Sequence, residues 1–155
     1  MAKTYRTTRS ARAANAVLGF LVRRGLGPGF MRLLTVPGRR TGLPRSTPVV
    51  PVRNDRGQWL VAPFGEVGWV RNVRAAGQVT LRRGRVGEEL AATELEPREA
   101  VPVLREYLAM RPAGKYVQDY FDVTPDADDA AIAAEAPRHP VFSLSPVRPP
   151  LPPSS

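Results

Sequence analysis

Apolar positions along the chain change period several times, and those changes divide it into elements. From Ser10, whose hydroxyl suits an N-cap, to Arg24, the residues Ala14, Val17, Leu18, Leu21 and Val22 recur at helical spacing, and Gly25 with Gly27-Pro28 ends the run. Beyond it the runs shorten. Residues 31–36 read as a first strand closed by Pro37-Gly38, and about 45–53 as a second. Pro48 and Pro51 remove two ladder donors from that second strand, which therefore belongs at a sheet edge or carries a bulge. Asn54-Asp55-Arg56-Gly57 supplies a hairpin turn into a third strand, 58–62, whose near-continuous apolar run predicts a central place in the sheet.

A loop over 63–68 precedes a short helix, 69–76, that Gly77 ends; Trp69, Val73 and Ala76 share one face of it. Two further strands, 78–83 and 88–96, flank a second basic turn, Arg82-Arg83-Gly84-Arg85. Pro97 then stands at the first position of a helix in which Val101, Leu104 and Leu108 are spaced for burial. Tyr116, Tyr120 and Phe121 cluster after a Pro and Gly break, and 126–136 forms a last helix whose Asp-rich start suits the helix dipole. Residues 141–144 make a final strand. A polar basic arm over 1–12 and a tail over 146–155, with five prolines in ten residues, are expected to be mobile, which leaves one domain over 13–145. Strands joined by hairpins rather than by crossover helices predict an α+β fold: a small antiparallel, partly closed barrel of about six strands, with an N-terminal helix and short helices inserted before the last strand.

Composition narrows the chemistry. The chain of 155 residues is long enough to bury a core unaided, has no cysteine for a disulfide or thiolate metal site, and has one histidine, His139, too few for the usual zinc clusters. The apolar run 13–22 is interrupted by Asn15 and Gly19 and falls short of the roughly 20 residues that span a bilayer. No signal-peptide cleavage pattern follows it, and the reading is cytoplasmic, with peripheral membrane association left open. The net charge of +9 is uneven: no Asp or Glu precedes Asp55, whereas eleven Lys or Arg fall in residues 1–54. A polyanionic partner follows: nucleic acid, an anionic membrane or a phosphorylated or polycarboxylate ligand. For the N-terminal helix, core packing and contact with an anionic membrane surface are both open. Nucleic acid fits poorly, because no aromatic residues interleave the basic turns and no DNA-reading motif occurs.

In the turn Gly38-Arg39-Arg40-Thr41-Gly42, two guanidiniums, a hydroxyl and two flexible backbone positions meet between strands, a good place to hold an anion. Neither a G-x-G-x-x-G fingerprint nor a P-loop is present. There is no nucleophile with a partnering base at recognisable spacing, and His139, beside Pro140 at a strand entry, reads as structural. If the chain is an enzyme, a bound cofactor carries the reaction.

Leu33-Leu34-Thr35-x-x-Gly38-Arg39-Arg40-Thr41-Gly42-x-Pro44-Arg45-x-Thr47-Pro48, followed by Leu60-Val61-Ala62-x-x-Gly65 and Trp69-x-x-Asn72-Val73-Arg74-Ala75, resembles the deazaflavin-dependent nitroreductase family. The likeness spans about 31–144. It implies a split β-barrel related to the flavin-binding barrel of pyridoxine 5′-phosphate oxidase, binding of coenzyme F420 rather than FMN, and hydride transfer to a small electron-poor acceptor such as a quinone, enone or nitroaromatic. By the same resemblance, Arg39, Arg40, Thr41, Gly42 and Arg45 hold the coenzyme's phosphate and γ-glutamyl tail. The backbone of Ala62, Pro63, Phe64 and Gly65 approaches the ring, Pro48 shapes a wall, and Trp69, Asn72 and Arg74 surround the same pocket. Tyr116 and Tyr120 match positions on the substrate side and are the catalytic candidates. The chain departs from many relatives in its shorter loop before Trp69 and in Val70, where they often carry Tyr. A monomer and a homodimer both fit. Two alternatives stand beside this reading: a non-catalytic flavin or deazaflavin carrier, and a basic membrane- or nucleic-acid-binding module.

Overall fold

The computed structural model describes residues 9–26 and 29–147. Its elements, in chain order, are α1 (Arg9–Arg23), β1 (Arg32–Pro37), β2 (Pro44–Val49), β3 (Val52–Asn54), β4 (Gly57–Val61), α2 (Gly68–Ala76), β5 (Gln78–Arg83), β6 (Val86–Glu94), α3 (Pro97–Ala109), α4 (Ala113–Val117), a 3-10 turn at Gln118–Tyr120, α5 (Asp129–Glu135) and β7 (Val141–Pro146). The mobile arm expected over 1–12 falls outside the described residues up to residue 8 and is helical from Arg9; the proline-rich tail falls outside them from residue 148. The Gly27-Pro28 stop also lies outside them.

One antiparallel sheet holds the strands in the order β2-β1-β5-β6-β7-β4-β3. The expected second strand is two strands, and they occupy the opposite edges of the sheet. Only Val50 and Pro51 separate Val49 from Val52, three Cα steps that reach no more than about 11 Å. Laid flat, the edges of seven strands would stand roughly 29 Å apart. The sheet must therefore curl until its edges nearly meet, and the result is a split barrel. Proline tolerates this arrangement because Pro44 and Pro48 lie on an edge strand, whose outer donors need no partner.

Two apolar clusters stabilise the curled sheet. One fills the barrel, with Leu34, Val36, Leu60, Leu81, Leu90 and Phe142 among its members. The other joins Val52, Val61 and Val141 to α3, α4 and α5. This explains the apolar run of β4: Leu60 belongs to the first cluster and its neighbour Val61 to the second, so both faces are covered. The expectation that this strand is central is corrected, because β4 stands next to the edge strand β3 and β6 is the middle strand. A run buried on both faces reports covering layers, not position in the sheet.

Helix α3 begins as expected, with Pro97 in its first turn and a reciprocal capping box between Glu96 and Glu99. Gly77 caps α2 with φ 70°, and Asp128 caps α5 by accepting from the Ala131 amide. Helix α2 buries Val70, Asn72 and Val73, whereas Trp69 is half-buried and Ala76 exposed. Of the face predicted for it, Val73 and Trp69 pack on the barrel cluster, while Ala76, next to the Gly77 cap, does not. Helix α1 begins one residue before Ser10, and it buries Val22 and Gly19 while Val17 and Phe20 are 62% and 56% exposed. Gly19 sits so close to Leu33 that a Cβ there would lie 3.3 Å from its Cδ1. The helix therefore meets the sheet along the line through Gly19 and Val22. Its end is clipped to the β5–β6 turn, where the Gly84 amide donates to the Val22 carbonyl at 3.1 Å.

Phe142 pairs with Leu60 across one ladder and with Glu94 across the other, and it is 1% exposed. Phe142→Ala should cost about 3–5 kcal/mol in urea-induced unfolding, because the rigid barrel cannot collapse into the void.

Candidate functional site

The barrel leaves a seam where β2 runs past the end of β4, and a cavity of about 570 Å³ opens there. Pro48 and Val49 line it from the edge strand, Val50 from the connection that follows, Val61, Pro63 and Phe64 from β4 and its exit, and Trp69 from α2. At its polar end stand Arg39, Arg45, Ser46, Thr47 and Asn72. Walls of flat apolar and aromatic side chains with a cationic rim suit a planar ring carrying an anionic chain.

The basic turn is the loop of the β1–β2 hairpin, closed by the Gly38 amide donating to the Leu43 carbonyl at 2.8 Å and by the Gly42 amide donating to the Gly38 carbonyl at 2.8 Å. Gly42 has φ 72°, the left-handed conformation that favours glycine. Asn72, buried in α2, ties this loop to the barrel. Its Oδ1 accepts from the Arg39 amide at 3.1 Å and from Arg39 Nη1 at 3.0 Å. The contact orients the guanidinium without neutralising it, and neither Arg39 nor Arg45 meets a carboxylate among the described residues.

The loop from Ala62 to Gly65 is held from behind. The Ala62 amide donates to the Pro140 carbonyl at 2.9 Å, and the Gly65 amide donates to the Ala62 carbonyl at 3.3 Å. That carbonyl also lies 3.3 Å from Nδ1 of His139, so Nδ1 carries the proton and donates. Gly65 has φ 88°, and a Cβ there would lie 3.4 Å from the Arg138 carbonyl. The imidazole is buried and stacks on Phe121 at 3.8 Å between ring centroids. Burial pushes its pKa below the ordinary value of 6.5, opposed by the Glu135 carboxylate, whose Oε2 stands 3.3 Å from Nε2. His139 is thus a structural residue behind the loop, as its sequence position suggests.

Of the residues singled out in the sequence, Arg39, Arg45, Pro48, Pro63, Phe64, Trp69 and Asn72 come together on the cavity wall. Arg40, Thr41 and Gly42 form the exposed tip of the turn, where the Thr41 hydroxyl accepts from the Leu43 amide at 3.2 Å. Ala62 and Gly65 stand behind the wall. Arg74 lies elsewhere, its guanidinium gripped by Glu94 at 2.8 and 2.9 Å and by Glu66 at 2.9 Å. Hydrogen bonding to those carboxylates raises its pKa further, so Arg74 is a structural cation. Tyr116 is 76% exposed, and Tyr120 sits behind Phe64 with ring centroids 4.9 Å apart; neither is a wall of the cavity. Sequence reasoning missed Asn15, Leu18 and Met31 near the N terminus, and Tyr107 and Val117 on the helical layer. Two of them carry a signal: Asn15 interrupts the apolar run of α1, and Tyr107 places a hydroxyl on the buried face of α3.

A family model described as F420H(2)-dependent quinone reductase matches residues 5–125. None of the curated proteins matches the chain. Among solved structures, an F420-H2 dependent reductase, FDR-A, is 22% identical with a TM-score of 0.53, covering 76% of this chain and 95% of that one. A protein described as a domain-swapped dimer is 20% identical with a TM-score of 0.56, covering 88% and 96%. A pyridoxamine 5′-phosphate oxidase homologue from Listeria innocua is 14% identical with a TM-score of 0.50, covering 77% and 85%. These likenesses establish the split-barrel fold.

The depressed pKa of His139 has a consequence for stability. The unfolded imidazole takes up a proton as pH falls through about 6.5, while the folded one resists until lower pH, so stability is lost across that interval. Thermal melts from pH 7.5 to 5 should show this slope, and His139→Gln should flatten it even though the variant is less stable throughout.

Proposed function

Because the chain belongs to the F420H2-dependent quinone reductase family, we propose that the cavity at the barrel seam is its coenzyme site and that an electron-poor carbonyl compound is the substrate. The protein is a reductase, and F420 is its coenzyme. The observation that carries the placement is the pairing of two guanidiniums free of carboxylate partners, Arg39 and Arg45, with the apolar walls of Pro48, Val49, Val61 and Trp69 in one cavity. Away from the cavity, Arg74, Arg105 and Arg138 each meet a carboxylate. Cations left unpaired at the rim are available to an anionic ligand.

When bound, the reduced deazaflavin supplies the hydride that a two-electron acceptor takes up. The chain's own residues bind and orient. Arg39 and Arg45 hold the phosphate and the polyanionic chain; Asn72 fixes the Arg39 guanidinium in advance, which reduces the ordering cost of binding. Pro63 and Phe64, on a loop braced by His139 and Pro140, and Trp69 from α2 exclude water beside the ring. Quinones lead the substrate class, with enones and nitroaromatics as chemically related acceptors.

The finer reading of where the enzyme works rests on α1. Among the described residues no helix is long and apolar enough to cross a membrane. Val17 and Phe20 are nevertheless exposed beside Arg23 and Arg24, which suits peripheral contact with an anionic bilayer, where lipophilic quinones dissolve. Sedimentation with anionic vesicles should carry the protein down at low salt, and Phe20→Glu should abolish the association; a protein that stays in the supernatant with anionic vesicles would remove the membrane from the proposal.

The coenzyme placement is tested by fluorescence titration. Arg39→Ala and Arg45→Ala should each weaken F420 binding at least about tenfold, the scale of one charge-assisted hydrogen bond. Arg85→Ala, in the β5–β6 turn, should leave it unchanged. FMN, which lacks the γ-glutamyl chain, should bind more weakly and lose less on either substitution.

A further inference from the structure

Helix α3 buries one face, and Ala100, Leu104 and Leu108 make it apolar, as packing on the sheet demands. Tyr107 shares that face. It is 3% exposed, with its ring tilted against Phe121 at 6.5 Å between centroids, yet its hydroxyl makes no hydrogen bond among the described residues. The phenol of a tyrosine on a buried face ordinarily finds a polar partner. Phenylalanine would fill the same apolar space without presenting a hydroxyl. The Tyr107 hydroxyl is not among the enclosed unpartnered side-chain atoms of the described residues, which are Gln58 Oε1 and Glu135 Oε2 on residues away from the cavity wall. Tyr107 is on it, with Val61 and Val117 of the helical cluster.

We infer that the Tyr107 hydroxyl donates a hydrogen bond to the oxygen of the hydride acceptor, and so helps to select carbonyl substrates; this rests on the coenzyme site proposed above. Arg39, Arg45 and Asn72, which serve the anionic chain, reach the cavity from the β1–β2 hairpin and α2, whereas Tyr107 reaches it from the helical layer. Hydride arriving on a quinone or enone places negative charge on its oxygen. A donor already directed there, in a site that excludes water, stabilises that charge more than it stabilises the neutral substrate. Burial pushes the Tyr107 pKa upward, so the phenol keeps its proton: it donates a hydrogen bond, and the proton that completes the hydroquinone comes from water. Tyr116 and Tyr120, which resemblance favoured for the substrate side, do not line the cavity.

The test is Tyr107→Phe, which preserves the ring and its packing. Three readouts are compared in wild type and variant: F420 affinity by fluorescence titration; menadione affinity of the coenzyme-free protein by tryptophan quenching; and steady-state reduction of menadione and of a triarylmethane cation dye. The dye's electrophilic carbon accepts hydride with no oxygen to receive a hydrogen bond. Expected in the variant are unchanged F420 affinity, weaker menadione binding, and a loss of about tenfold in kcat/KM for menadione, equivalent to ~1.4 kcal/mol, with the dye unaffected. The proposal is overturned if menadione binding and turnover are unchanged, if both acceptors lose equally, or if the loss appears in F420 affinity. Failure of the wild type to bind F420 would instead remove the coenzyme-site reading. The menadione titration would then decide the role of Tyr107 alone, with equal affinities counting against it.

Discussion

The short connection Val49-Val50-Pro51-Val52 governs the structure, because it obliges one chain segment to supply both edges of a seven-stranded sheet. A flat sheet cannot meet that constraint, so the strands curl. The curl gives the interior its apolar filling of Leu34, Leu60, Leu81, Leu90 and Phe142, and it leaves a seam where β2 runs past the end of β4. The cavity is the space at this seam that neither apolar cluster fills. Its wall residues Pro48, Val49 and Val50 come from the same segment that imposes the curl.

Two polar devices then hold the site's parts in place. Asn72 reaches from α2 to the β1–β2 turn and binds both the amide and the guanidinium of Arg39, so an otherwise free hairpin loop is referred to the barrel core. On the other side, Pro140 and His139 hold Ala62 through its amide and carbonyl, which fixes the exit of β4. Each device uses a buried polar side chain that would be unfavourable without its partner, and each spends that side chain on a loop rather than on the core. Arg39 and Arg45 at the rim meet no carboxylate among the described residues, whereas Arg74, Arg105 and Arg138 are matched by Glu66, Glu94, Asp122 and Asp129.

Much of this was legible in the chain. Hairpin spacing, the Gly77 stop, Pro97 at a helix start and the two prolines of an edge strand are local signals, and each acts through backbone geometry that a few residues decide. The acid-free stretch before Asp55 and the Gly38–Gly42 turn likewise marked the cationic loop from which Arg39 reaches the cavity. Three readings failed for a common reason. The exposure of Val17 and Ala76, the place of β4 in the sheet and the positions of Arg74, Tyr116 and Tyr120 all depend on which surface a distant segment covers. Periodicity shows that a side chain is apolar or charged; it does not show whether Glu94 will stand opposite Arg74.

By itself the sequence determined the elements, the edge character of the proline strand, the cationic turn and the family, since all of these are set by neighbours a few positions apart or by motif. Only the tertiary structure decided that the broken strand closes a barrel, that Asn72 serves Arg39, and that Tyr107, not Tyr116 or Tyr120, lines the cavity. Those outcomes join residues dozens of positions apart, and their free energy comes from excluded water and shared burial, which exist only once the sheet has curled.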